Sequence, residues 1–269
     1  MTDADRAFAG SIPALYDRYL GPFVFEPYAA DLAARLADLR DGPLLEIAAG
    51  TGIVTRALAR QLDPGIAILA SDLNPAMLEF AESQGTARPV TWRQADAQAL
   101  PFGDAAFAAV ACQFGVMFFP DKIAAYRQVR RVLRPGGRFV FNVWGRIEDN
   151  EIPCVIHDAM ATLFPADPPR FLTRAPHGYY DTAIIVDQLG QAGFADIAVE
   201  TLKLRGRAAS PRDPAIGFCQ GSPLRNEIES RGAGLLEVAT DDAAAAIAAR
   251  FGNGPVDAAI QAHVITARR

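Results

Sequence analysis

The sequence predicts an α/β fold, a parallel sheet covered by helices, and three observations carry that prediction. Between about residue 43 and residue 144, short apolar runs alternate with longer mixed segments of helical period, the pattern of buried strands joined by crossover helices. The run Leu44-Leu45-Glu46-Ile47-Ala48-Ala49-Gly50-Thr51-Gly52-Ile53-Val54-Thr55 joins a buried strand to a helix through two glycines. Such a turn lets the backbone approach a ligand closely and aims the first helical amides at it. Finally, 269 residues with 51% hydrophobic content are ample for a sizeable core and exclude global disorder.

Taken in order, the elements begin with the aromatic segment 12–23, read as a leading helical cap in which Tyr16 and Tyr19, three apart, share a face. Strands are expected at 43–48, 66–71, 90–94, 107–113 and 138–144, and helices at 53–62, 75–83 and 122–133. Pro75 suits a first helical turn capped by Asn74, while Pro135-Gly136-Gly137 stops the third helix before the fifth strand. Beyond Trp144 the alternation breaks down. An insertion at 148–180, a helix at 182–192 and a strand at 194–204 are followed by a largely helical insertion at 213–261 and a short terminal strand at 262–267. The alanine-rich run 241–250, acidic first and ending in Arg250, suits a helix.

Composition narrows the function classes. A formal charge of -5 argues against an extended nucleic-acid footprint, and Arg127, Arg130, Arg131, Arg134 and Arg138 read as a solvated helix face. Cys112, Cys154 and Cys219 are far apart, without a CxxC metal spacing or a disulfide framework, so no metal is expected and the thiols suit a reducing compartment. No basic region followed by a long apolar run opens the chain. No membrane span is read, and a cytoplasmic location is expected.

The glycine turn suggests a nucleotide-type cofactor, and Glu46 narrows it. A dinucleotide places an anionic pyrophosphate at the helix N-terminus and asks for a third small residue where this chain has Thr55. Glu46 repels a pyrophosphate but attracts the ammonium group of S-adenosylmethionine.

Four motifs in order then resemble the class I S-adenosylmethionine-dependent methyltransferases, especially the small-molecule group similar to the ubiquinone and menaquinone biosynthesis enzymes. They are Glu46-Ile47-Ala48-Ala49-Gly50-Thr51-Gly52, with Ala48 at a position commonly glycine; Asp72-Leu73-Asn74-Pro75-Ala76-Met77-Leu78; Gln94-Ala95-Asp96-Ala97-Gln98-Ala99-Leu100-Pro101-Phe102; and Val132-Leu133-Arg134-Pro135-Gly136-Gly137-Arg138. The resemblance covers roughly residues 43–145. It implies a Rossmann-like sheet of seven strands in the order 3-2-1-4-5-7-6, with helices on both faces and helical lid insertions. It further implies a cap at 1–42, a cofactor-binding core at 43–145, and a completion of the sheet with acceptor-lid insertions at 146–269.

On that reading S-adenosyl-L-methionine is the cofactor and the chain transfers its methyl group to a small or medium-sized, partly apolar acceptor. Asp72 accepts the ribose hydroxyls, Asp96 the adenine amine with the Ala97 amide beside it, and Leu73 and Met77 offer apolar contact to adenine. Glu46, Ala48 and Gly50 belong to the cofactor turn, Tyr19 to the methionine end, and Gln113 and Phe114 to the place where cofactor and acceptor meet. His157 and His177 are the candidate general bases by residue chemistry, and Tyr179 and Tyr180 the candidate acceptor-pocket residues. His263 reads as structural. An NAD-type oxidoreductase and a noncatalytic S-adenosylmethionine-binding partner protein stay open as alternatives, as does homo-oligomerisation.

Overall fold

The structure, a computed structural model, describes residue 8 and residues 10–269. Residues 1–7 and 9 of the expected cap lie outside the described residues. In chain order the elements are α1 (Ile12–Leu15), a π-helix (Tyr16–Phe25), α2 (Glu26–Leu36), β1 (Leu44–Ile47), α3 (Ile53–Gln61), β2 (Ile68–Asp72), α4 (Pro75–Ser83), β3 (Thr91–Gln94), β4 (Phe107–Gln113), α5 (Lys122–Val132) and β5 (Leu133–Trp144). They continue with α6 (Glu151–Leu163), α7 (Phe171–Arg174), α8 (Thr182–Gln191), β6 (Ala195–Ala208), α9 (Arg212–Cys219), α10 (Leu224–Glu229), α11 (Leu235–Phe251) and β7 (Val256–Arg268).

Among the described residues the strands form one seven-stranded sheet of order β3-β2-β1-β4-β5-β7-β6, the order the resemblance implied. β1, β2, β3, β4 and β5 pair in parallel. The last strand runs the other way, because Gly136 donates to the Arg269 carbonyl while Arg269 donates to that of Gly137. Strand order reverses direction between β1 and β4. Right-handed crossovers therefore put α3 and α4 on one face and α5 on the other, and the carboxyl ends of β1 and β4 flank a crevice of the kind open α/β sheets use for ligands.

The chain divides into two compact units. The sheet unit comprises Tyr28–Val143, Tyr180–Leu202 and Ala262–Arg269. Its core includes Tyr28, Tyr126, Phe139 and Phe141, all fully buried, each contributing roughly 1.5–3 kcal/mol by leaving water. Asn74 caps α4 through the Ala76 amide, Asp121 caps α5 through that of Ala124, and Asp181 caps α8. The other unit comprises the described part of Met1–Pro27 with Trp144–Tyr179 and Lys203–Gln261. There α6 packs on α11, α11 on α9, and α9 on the π-helix. Gly217 and Gly221 make the last contact close, since a Cβ at either would stand 2.7 Å from Leu20 Cδ2 or 3.0 Å from the Tyr16 amide nitrogen.

Several boundaries differ from the sequence expectation, β6 running on to Ala208 rather than 204 among them, and three differences have a clear physical cause. β5 begins at Leu133, not 138, because Pro135-Gly136-Gly137 forms an irregularity inside the strand: Phe107 pairs with Leu133 and Ala109 already with Arg138. β7 begins at Val256, not 262, since Val256, Ala258 and Ile260 alternate into the interior. Residues 16–25 form a π-helix rather than an ordinary one, with Pro22, which has no N–H to give, inside it.

Candidate active site

The carboxyl ends of β1, β2 and β3 are tied together by hydrogen bonds that run through the sequence-predicted residues. Asp72 ends β2, where its Oδ2 accepts from the Gly50 amide at 2.8 Å and its Oδ1 from the Asn74 amide at 2.8 Å. The Ala49 amide donates to the Ser71 carbonyl, the Ala95 amide to that of Asp72, and Gln94 Nε2 to that of Leu73. Burial pushes the Asp72 carboxyl up from the usual range, while the amides of Asn74, Gly50 and Leu73 pull it back. The carboxylate's roughly four lone-pair sites exceed these three amides, leaving acceptor capacity.

Gly50 and Gly52 hold the turn with φ of 55° and 80°. Open space lies where a Cβ of Gly50 would point. Between them Thr51 is buried, its hydroxyl without a hydrogen-bond partner among the described residues. The sequence reading had not singled out Thr51. Leu73, immediately after Asp72, is 45% exposed. Met77 is buried in α4. After β3, Asp96 Oδ1 accepts from the Gln98 amide at 2.8 Å, and Ala97 is buried.

Glu46 lies under this turn and is 1% exposed. Thr55 holds its carboxyl, the hydroxyl donating to Oε2 at 2.6 Å. Burial drives its pKa up to about 8, with the nearby Asp72 adding to the rise and Thr55 and Arg56 opposing it. Thr55 therefore does more than interrupt a dinucleotide fingerprint: it is the carboxyl's hydrogen-bond donor.

At the end of β4 the chain turns through Phe114, whose φ of 49° lies in the left-handed region. Asn142 on β5 holds that turn, its Oδ1 accepting from the Phe114 amide at 2.9 Å and its Nδ2 3.4 Å from Gln113 Oε1. Phe114 is buried edge-on to Tyr28, ring centroids 5.3 Å apart. Ala48, at the end of β1, is also left-handed with φ of 53°. Its methyl fills space that a side chain at Gly115 would need, a Cβ there falling 2.5 Å away. The alanine at a position where the resemblance expects glycine is thus matched by a glycine just beyond the neighbouring strand β4.

Glu46, Ala48, Gly50, Asp72, Leu73, Met77, Asp96, Ala97, Gln113 and Phe114 therefore all belong to the sheet unit and cluster at or just beyond the carboxyl ends of β1 to β4. Tyr180, 37% exposed, precedes α8 in the same unit. Tyr19, His157, His177 and Tyr179 belong to the other unit. Tyr19 lies on the π-helix with the Arg18 guanidinium 5.1 Å from its ring centre, and His157 is half-buried on α6. His177 is buried, its Nδ1 2.9 Å from the Gly145 carbonyl. A carbonyl only accepts, so Nδ1 carries the proton and Nε2 the lone pair of the neutral ring. Burial lowers its pKa to about 4, against the opposing pull of the Gly145 carbonyl and Glu148.

Residues 45–141 match the family model of a methyltransferase domain. The chain is 39% identical over 101 residues to the ubiquinone/menaquinone biosynthesis C-methyltransferase of Hahella chejuensis, an alignment covering 36% of this chain and 41% of that one. It is 41% identical over 114 residues to the demethylmenaquinone methyltransferase of Thermus thermophilus, covering 42% and 50%. The chain thus spans half or less of the length of these two relatives. Among solved structures, the phosphoethanolamine N-methyltransferase 2 of Haemonchus contortus in complex with S-adenosyl-L-methionine superposes with a TM-score of 0.60 at 17% identity, covering 96% of this chain and 56% of that one. The fold is that of the class I methyltransferases. Among the described residues, no group of three or more His, Cys, Asp and Glu is arranged to hold a metal, and no helix is long and apolar enough to cross a membrane.

Proposed function

We propose that a chain whose residues 45–141 match a methyltransferase domain on a sheet of this order transfers the methyl group of S-adenosyl-L-methionine to a small or medium-sized, partly apolar acceptor. The observation that carries the reading is the Asp72 carboxylate, fixed by two amides at the end of β2 beside the exposed Leu73. The residues present fit the cofactor on features of this fold: the Thr51 hydroxyl, unpartnered among the described residues, and the open space at Gly50. When bound, the cofactor supplies an electrophilic methyl on a sulfonium, so no covalent nucleophile of the protein is required.

The work left to the chain is binding and alignment. Asp72 accepts the ribose hydroxyls through its remaining lone pairs, Leu73 and Met77 meet the adenine, and Asp96 with Ala97 receives its edge. Glu46, Ala48 and Gly50 form the turn at the amino-acid end. Gln113 and Phe114, held by Asn142, set the floor where methyl and acceptor meet. Tyr180, in the sheet unit, is the candidate acceptor-side residue there. The relatives' names, from ubiquinone and menaquinone biosynthesis, support a quinone-like acceptor. His157 and His177 remain the candidate bases; burial keeps the His177 ring neutral at pH 7 but makes its Nε2 a weak base, suited only to an acidic acceptor proton.

Calorimetric titration with S-adenosylhomocysteine and with NADH tests the cofactor, and transfer of labelled methyl to a demethylated quinone tests the reaction. Binding of S-adenosylhomocysteine without NADH, together with labelled product, is the expected result. NADH binding alone returns the oxidoreductase reading. Cofactor binding with no transfer to any acceptor of a metabolite mixture returns the noncatalytic one.

A further inference from the structure

A buried carboxyl is stable when it is paired with a cation, richly hydrogen-bonded, or neutral. Glu46 has no ion-pair partner among the described residues, and its hydrogen-bond donor is Thr55. The groups facing it come from three elements. On α3 are Thr55 and Arg56, whose Nη1 donates to the Thr51 carbonyl at 2.7 Å. On β2 are Ser71, whose hydroxyl donates to the Glu46 main-chain carbonyl at 3.1 Å, and Asp72, a second acid. On β4 is Cys112, a buried thiol that the two acids hold further from ionisation. A second carboxylate and a low dielectric both oppose a charge on Glu46, and Thr55 with the more distant Arg56 does not offset them.

We infer that Glu46 is a neutral carboxyl in the ligand-free protein and releases its proton to solution when the ammonium group of the bound cofactor arrives beside it. The inference rests on the functional reading above, and it concerns an exchange rather than a contact: one O–H bond of Glu46 breaks, its proton goes to buffer, and the resulting carboxylate pairs with the ammonium already on the ligand. The chain thereby avoids an uncompensated charge before binding and gains an ion pair after it. The raised pKa, about 8, agrees with a carboxyl that is protonated at pH 7.

Calorimetry of the full chain in buffers of different ionisation enthalpy counts the protons released per ligand bound. At pH 7 the ligand's amine is largely charged, and a net release of most of a proton per site is expected with S-adenosylmethionine and with S-adenosylhomocysteine. None is expected with 5′-methylthioadenosine, which has the nucleoside and thioether but no ammonium. E46Q should bind more weakly and release none. T55V keeps the carboxyl but removes the hydroxyl bond that favours its charged form, so release should persist to higher pH than in the natural chain, and this variant carries the test if E46Q fails to fold. Binding of S-adenosylhomocysteine without proton release, or undiminished release from E46Q, overturns the inference and leaves the cofactor assignment standing. No binding of either adenosyl amino acid removes the cofactor assignment itself, and the inference with it.

Discussion

Substituting Gly115 by alanine places a Cβ 2.5 Å from that of Ala48 and 2.7 Å from Cys112 Sγ, where ordinary contact between carbons begins near 3.5 Å. The neighbouring strand ends must open by about 1 Å, and overpacking of this kind costs about 2–3 kcal/mol. Ala48→Gly acts on the same contact from the other side. It relieves a side chain held at φ 53°, worth about 1 kcal/mol, but frees the unfolded chain by a similar amount, so alone it should be close to neutral. In the double variant the Ala48 clash disappears and the Cys112 clash stays. About 1 kcal/mol of the Gly115→Ala penalty should therefore return as coupling between the two positions. Thermal unfolding of the four proteins reads this as a fall of about 4–10 °C for Gly115→Ala and a recovery of about 2–4 °C in the double variant. Additive effects within ~0.3 kcal/mol, or a Gly115→Ala protein as stable as the natural chain, would refute the claim that these two residues share one space.

Three further outcomes are expected. Asp72→Ala should raise the dissociation constant for S-adenosylmethionine at least roughly tenfold, and, because it also strands the Gly50 and Asn74 amides, lower ligand-free stability by about 2–4 kcal/mol; calorimetry with chemical denaturation measures both, and unchanged affinity in a folded protein would remove Asp72 from the site. His177 titrates near 4 when folded against an ordinary 6.5, so the unfolded chain binds the extra proton between those values. Its contribution is full above pH 6.5 and lost as pH falls towards 4, up to about 3 kcal/mol, and His177→Gln should flatten that part of the stability profile. Hydrogen exchange with S-adenosylhomocysteine, before and after adding an acceptor, should show both insertions protected together, since Gln261 and Asn150 exchange hydrogen bonds and Glu227 binds the Arg170 and Phe171 amides; protection confined to the cofactor motifs would defeat a shared acceptor role.

Much of the sheet was legible because β1, β2 and β4 are buried on both faces and read as plain apolar runs, and because Asn74 and Pro75 punctuate α4 in the local sequence. The irregular start of β5 was not, since Pro135-Gly136-Gly137 looks the same in a turn and in a strand irregularity. β7 was read too short because alanine in Asp257-Ala258-Ala259 favours a helix until a partner strand overrides it. In the site, Asp72 and Gly50 announce themselves by position after a strand. The clamp of Asn142 on Phe114, 28 residues away, exists only once β4 and β5 are paired. Likewise the contiguous segment 146–269 is divided between two units, a matter of three-dimensional contact that no run of residues displays.

The strand order has a consequence for biosynthesis. β7 follows β6 in sequence, yet it stands between β5 and β6, so β6 joins the sheet only through a strand made after it. A nascent chain emerging from the ribosome can assemble the five parallel strands while the remainder is still being made, but β6 must wait without a partner until residues beyond 256 appear.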